Sequence, residues 1–93
     1  MNLTDEQLLQ VEDMAAALLP ADEIAILLKL DASDRKLFIE IVKTHINSAI
    51  YMAFHHGRLT TKLELRKTVI KLAKHGSPAA EPIAEKYIRE QLQ

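Results

Sequence analysis

The sequence predicts an all-α fold of five helices in one domain, and three observations carry that expectation. Ninety-three residues contain only two glycines and three prolines, too little turn material for an all-β chain. Leu, Ala, Glu and Lys, all strong helix formers, are abundant together with Ile. Apolar residues recur at three- and four-residue intervals along most of the chain. The length fits a single domain with a modest, mainly aliphatic core, since Phe38, Tyr51, Phe54 and Tyr87 are the only aromatics. Residues 1–43 read as a helix-turn-helix-like unit, and 44–93 as the end of a long helix plus two C-terminal helices.

The first helix begins at a capping box, Thr4 with Gln7, flanked by Leu3 and Leu8 as a hydrophobic staple. Leu8, Val11, Ala15, Leu18 and Leu19 form its apolar stripe, and Pro20 ends it while suiting the first turn of the next helix. That second helix, about 20–28, carries Asp22 and Glu23 at its positive end and buries Ile24, Leu27 and Leu28. Asp31 or Ser33 caps the third. From about 32 to 56 neither glycine nor proline intervenes, so one long helix is expected, a break near Asn47 being the alternative, with Phe38, Ile41, Val42, His45, Ile46, Ala49, Ile50, Ala53 and Phe54 along one side. At 1.5 Å per residue it would span roughly 35 Å, more than a small monomer can cover, which points to a homo-oligomer. Gly57 is the expected stop of this helix. Thr61 and Glu64 read as a capping box for the fourth helix, with Leu63, Val69, Ile70, Leu72 and Ala73 as its buried candidates and Gly76 at its end. Ser77 and Pro78 open the last helix, whose start Pro82 distorts or delays, and Ile83, Ala84, Tyr87, Ile88 and Leu92 form its stripe.

The net charge of −1 conceals a segregation. Residues 1–34 hold eight acids against Lys29, a net of −7, whereas 35–76 hold nine bases against Glu40 and Glu64, a net of +7. Such asymmetry suits an oriented contact with an anionic partner, or an acidic surface docking on a basic one. Without cysteine there is neither a disulfide framework nor a thiolate metal site. The acidic start lacks the layout of a signal peptide, and no apolar run reaches the roughly 20 residues of a membrane span. A cytoplasmic protein without membrane contact is therefore expected.

Residues 8–39 have the outline of a helix-turn-helix, with Ile24-Ala25-x-x-Leu28-x-Leu30 at its centre. Lys29 stands where such turns often carry glycine, and Arg35 where the second helix often carries an aliphatic. The unit is acidic, and its reading helix would open on Asp31, Ala32, Ser33 and Asp34, which suits phosphate contact poorly. A better site for an anion is the stretch from Arg58 to His75, where Lys62 and Arg66, and Lys67 and Lys71, are four apart and Lys74 continues the side. Arg35, Lys36, Lys43, Arg58, Lys62, Arg66, Lys67 and Lys71 are the candidate nucleic-acid-binding residues, acting by phosphate neutralisation on double-stranded DNA.

His45, His55, His56 and His75 match no zinc spacing, so no metal or other cofactor is expected. His55, His56 and His75 are placed instead near helix C-termini, where positive charge is favoured. No nucleophile–base pair, phosphate loop or dinucleotide fingerprint is present, so the chain reads as non-enzymatic.

Three elements resemble the small-subunit family of phage terminases: Ala53-Phe54-His55-His56-Gly57-Arg58, then Glu64-Leu65-Arg66, then Lys71-Leu72-Ala73-Lys74-x-Gly76-Ser77-Pro78-Ala79-Ala80. With the upstream helix-turn-helix outline, the resemblance covers about residues 5–90. It implies a non-catalytic adaptor that recognises viral DNA for packaging and hands it to the large terminase subunit, an ATP-driven motor and nuclease. It also implies ring assembly through helices that follow the DNA-binding unit. A helical protein–protein interaction module with no nucleic acid is the alternative, reading the acidic and basic segments as complementary surfaces. A transcriptional regulator using the same outline would need a palindromic site matched to a dimer.

Overall fold

The computed structural model describes residues 1–93 as five helices with no strand: α1 (Asp5–Ala16), α2 (Ala21–Leu27), α3 (Ala32–Thr44), α4 (Ala49–Lys74) and α5 (Glu81–Gln91). The all-α, five-helix expectation holds. The chain divides into two compact units, Met1–Thr61 and Lys62–Gln93.

In the first unit the local signals act as the side-chain chemistry requires. The Thr4 hydroxyl accepts the Gln7 N–H at 3.1 Å while the Gln7 carboxamide accepts that of Thr4 at 2.9 Å, closing the capping box of α1. Pro20 occupies the N-cap of α2, just ahead of its first turn. Asp31 caps α3 by accepting the Asp34 N–H at 2.8 Å and the Ser33 hydroxyl at 3.1 Å. These bonds, the Asp34 N–H first, hold the Asp31 carboxyl below its ordinary value.

Three helices end in Schellman turns. The residue after the C-cap takes a left-handed conformation at Leu18 (φ 66), Lys29 (φ 62) and Gly76 (φ 85). Each turn carries the pair of bonds that defines the motif, for α2 Lys29 N–H to Ile26 O at 2.9 Å and Leu30 N–H to Ala25 O at 3.3 Å. Only α4 has the glycine that this geometry favours. Leu18 and Lys29 hold it against the side-chain crowding that makes it rare for other residues.

The core of the first unit joins α1, α2, α3 and the start of α4: Val11, Ala15, Ile24, Ala25, Leu28, Phe38, Ile41, Val42, Ile50 and Phe54. No polar or charged side chain is buried. Leu18, Leu27 and Ile46, expected on apolar stripes, are exposed.

The expected long helix over 32–56 is not formed. The chain breaks at 45–48, where His45 leaves the helical region (φ −90, ψ 67), Asn47 is left-handed (φ 70), and the Ser48 hydroxyl accepts the Tyr51 N–H at 3.1 Å to start α4. Asparagine tolerates the left-handed region and serine caps well, so His-Ile-Asn-Ser is a stop-and-start signal without glycine or proline. The 26-residue helix lies further on, and Gly57 sits inside it rather than ending it. Gly57 is buried at the crossing of α4 with α1; an added Cβ would strike the Glu12 carbonyl oxygen and come within 3.1 Å of the Ala16 nitrogen. Thr61 forms no capping box: its hydroxyl donates to the Ala16 carbonyl at 2.5 Å, satisfying an orphan acceptor at the end of α1.

The second unit pairs the C-terminal part of α4 with α5. Between them Ser77–Ala80 form a turn in which Ala80 N–H bonds to the Ser77 carbonyl at 3.2 Å. Helix α5 therefore starts at Glu81, with Pro82 in its first turn where a missing N–H does no harm. Of the expected buried residues only Val69, Ala73, Ala84 and Tyr87 are even half-buried, whereas Leu63, Ile70, Leu72, Ile83, Ile88 and Leu92 are exposed. Ala80 is the one buried apolar residue of this unit.

Candidate nucleic-acid interface

The eight cations nominated from the sequence divide into two groups. Arg35, Arg58 and Arg66 are tied to their own chain. Arg35 donates to the Leu30 carbonyl at 2.9 Å and so braces the turn between α2 and α3. Arg58 donates from Nε to His55 Nδ1 at 3.3 Å, and His55 Nε2 donates to the Val42 carbonyl at 2.9 Å. That network assigns the Nε2–H tautomer and caps one of the last carbonyls of α3 with a side chain of α4. Neither His55 nor His56 lies at a helix C-terminus, contrary to expectation: both fall inside α4, and His56 pairs with Glu12 of α1. Of these three only His75 follows the end of its helix.

Arg66 forms the centre of the second unit. Its guanidinium lies 4.0 Å from the centroid of Tyr87 and donates to Glu90 at 2.6 Å. The same bond holds the Glu90 carboxyl below its ordinary value, with smaller contributions from the charges of Arg66, Lys86 and Lys62. Arg66 thus faces α5, and Lys62, one helical turn earlier, shares that side of α4. The single basic face expected from Lys62 to Lys74 therefore splits.

What remains open to a partner is lysine. Lys67, Lys71 and Lys74, spaced four and three apart, form one ridge of α4, and with Ile70 and His75 they line a shallow surface depression. Lys36 and Lys43 lie seven apart on the exposed side of α3, with Glu40 between them. None of these five lysines takes part in an ion pair. Lys74 and His75 extend the ridge beyond the nominated residues, and their three- and four-residue spacing from Lys71 was the signal for it. Nothing in the sequence alone separated the arginines that brace the fold from the lysines that do not.

The two compact units differ in sign. Met1–Thr61 carries nine acids against five bases, a net of −4, and Lys62–Gln93 seven bases against four acids, a net of +3. No three His, Asp or Glu side chains converge as metal ligands, and no helix is long and apolar enough to cross a membrane. No family model, curated protein or solved structure matches this chain.

Proposed function

We propose that this chain is a non-catalytic adaptor that binds duplex DNA through its phosphates, in the manner its resemblance to phage small terminases implies. The observation that supports the reading is the ridge of unpaired, exposed lysines Lys67, Lys71 and Lys74 on α4. A lysine is a flexible point charge suited to phosphate, and a ridge without aromatic residues neutralises a backbone rather than stacking on bases. Asp31, Ser33 and Asp34 at the start of α3 oppose base reading there. Sequence-independent contact, multiplied by assembly of several chains, is the form of binding the residues favour.

Fluorescence anisotropy on a labelled duplex at about 50 and 200 mM salt tests this. If these three lysines each neutralise a phosphate, affinity falls roughly 40-fold over that interval. Replacing Lys67, Lys71 and Lys74 by Gln lowers the slope of log affinity against log salt by about three. Absence of binding at the lower salt by folded wild-type protein overturns the reading. It would leave the interaction module, which the exposed apolar residues of the second unit favour.

A further inference from the structure

The second unit is a helical hairpin that exposes most of its apolar residues. Chains below about 40 residues rarely stabilise a core without disulfides, metals or association, and these 32 residues have only Ala80 buried. The exposed residues are ordered. On α4, Leu63 and Ile70 are seven apart and lie on the side of the α5-facing row that adjoins Lys67 and Lys74. On α5, Ile88 and Leu92 are four apart and flank Ala84. Because the helices are antiparallel, the helical phases bring these two stripes to the same side of the hairpin. Their exposures, 54% and 39% on α4 and 61% and 83% on α5, are high for such side chains.

We propose that this side of the hairpin is a self-association surface, on which a second copy packs about a two-fold axis parallel to the helices to form an antiparallel four-helix bundle. In that arrangement α4 of one copy lies on α5 of the other, and the Leu63/Ile70 stripe meets the Ile88/Leu92 stripe. The charges bordering the two stripes argue for a second copy as the occupant. Outside the α4 stripe run Lys67, Lys71 and Lys74; Glu81, seven residues before Ile88, heads the α5 stripe and Glu85 runs outside it, both exposed and in no ion pair. The two-fold places these rows side by side, with Lys74 level with Glu81 and Lys71 level with Glu85, since both pairs count outward from the same turn. The four apolar residues expose on the order of 500 Å² per copy, so the pair buries about 1,000 Å², the lower bound for a specific interface. The lysines stay at the bundle rim, where surface ion pairs are weak and phosphate can still reach them. The inference does not rest on DNA binding.

Sedimentation equilibrium of the full chain without DNA, beside Ile70→Asp and Ile88→Asp, is the test. Wild type is expected to show twice the chain mass at micromolar concentration. Each variant is expected to show the single-chain mass with the helical far-UV circular dichroism of the first unit retained, because the altered side chains lie outside that unit. The dimer dissociation constant should rise roughly a hundredfold or more, since a symmetric contact is lost twice. Glu85→Lys should weaken the dimer and Lys71→Glu/Glu85→Lys should restore it. A monomeric wild type, a variant dimer of undiminished affinity, or failure of the charge exchange to rescue overturns the proposal. Salt-sensitive DNA binding by a monomeric wild type would overturn it while leaving phosphate contact through the lysines intact, and a dimer that binds no DNA would do the reverse.

Discussion

Replacing Gly57 by alanine should destabilise the first unit although it places a better helix former inside a helix. By propensity alone the substitution would gain about 1 kcal/mol. Its Cβ, however, would point at the backbone of α1: it would overlap the Glu12 carbonyl oxygen, lie 3.0 Å from the Glu12 carbonyl carbon and 3.1 Å from the Ala16 nitrogen. Backbone atoms cannot rotate aside, so α1 and α4 must separate. Overpacking of this kind costs about 1–3 kcal/mol, and an obstacle made of backbone belongs at the upper end. The separation also stretches the Thr61 hydroxyl's bond to the Ala16 carbonyl, 2.5 Å in the native crossing, worth about another 1 kcal/mol. After the propensity gain, the net loss is about 2–3 kcal/mol. For a chain of this size that lowers the midpoint of thermal unfolding, followed by circular dichroism at 222 nm, by roughly 10–20 °C. Thr61→Val, which removes the hydrogen bond without adding a Cβ clash, should cost only about 1 kcal/mol. An unchanged or raised midpoint for Gly57→Ala would refute the close crossing and return Gly57 to the role of an ordinary helix residue.

Lys29→Gly should raise the unfolding midpoint by a few degrees, because relief of a left-handed non-glycine residue, about 1–2 kcal/mol, exceeds the entropy cost of glycine, about 0.5–1 kcal/mol. Arg66→Lys should loosen α5 despite keeping the charge, since an ammonium lacks the planar guanidinium that both stacks on Tyr87 and reaches Glu90. Loss of the stack alone, about 0.5–1 kcal/mol, speeds amide exchange in α5 roughly two- to fivefold. Acidification should act through Asp31 and Glu90. Both carboxyls titrate below their ordinary values in the folded chain, so their contribution is full above the unfolded value of roughly 4 and is lost as pH falls through the lower folded value. In an acid titration of thermal stability, Asp31→Asn should flatten the decline below that pH, and an unchanged slope would remove the N-cap from the account.

Local chemistry was sufficient for the helical class and for several helix starts. The Thr4–Gln7 box and the Asp31 cap need only a backbone donor three residues away, so their meaning does not depend on what packs nearby. Val11, Ala15, Ile24, Leu28, Phe38, Ile41 and Val42 were legible as core for a similar reason, because helical spacing puts them on one face and an apolar face must be covered. The break after Thr44 was also local, written in Asn47 and Ser48, but a rule keyed to glycine and proline passes over it.

Only the tertiary structure decided the rest. Gly57 looks the same in sequence whether it ends a helix or admits a neighbouring one, and the approach of the Glu12 carbonyl, 45 positions earlier, selects the second role. The basic stretch is likewise one run of charge in sequence; Arg66 leaves it because Tyr87 and Glu90, on the next helix, are within its reach, which is a matter of distance in space. The apolar residues of α4 and α5 have helical periodicity whether they face a core or a partner, since periodicity records which side is apolar and not what covers it.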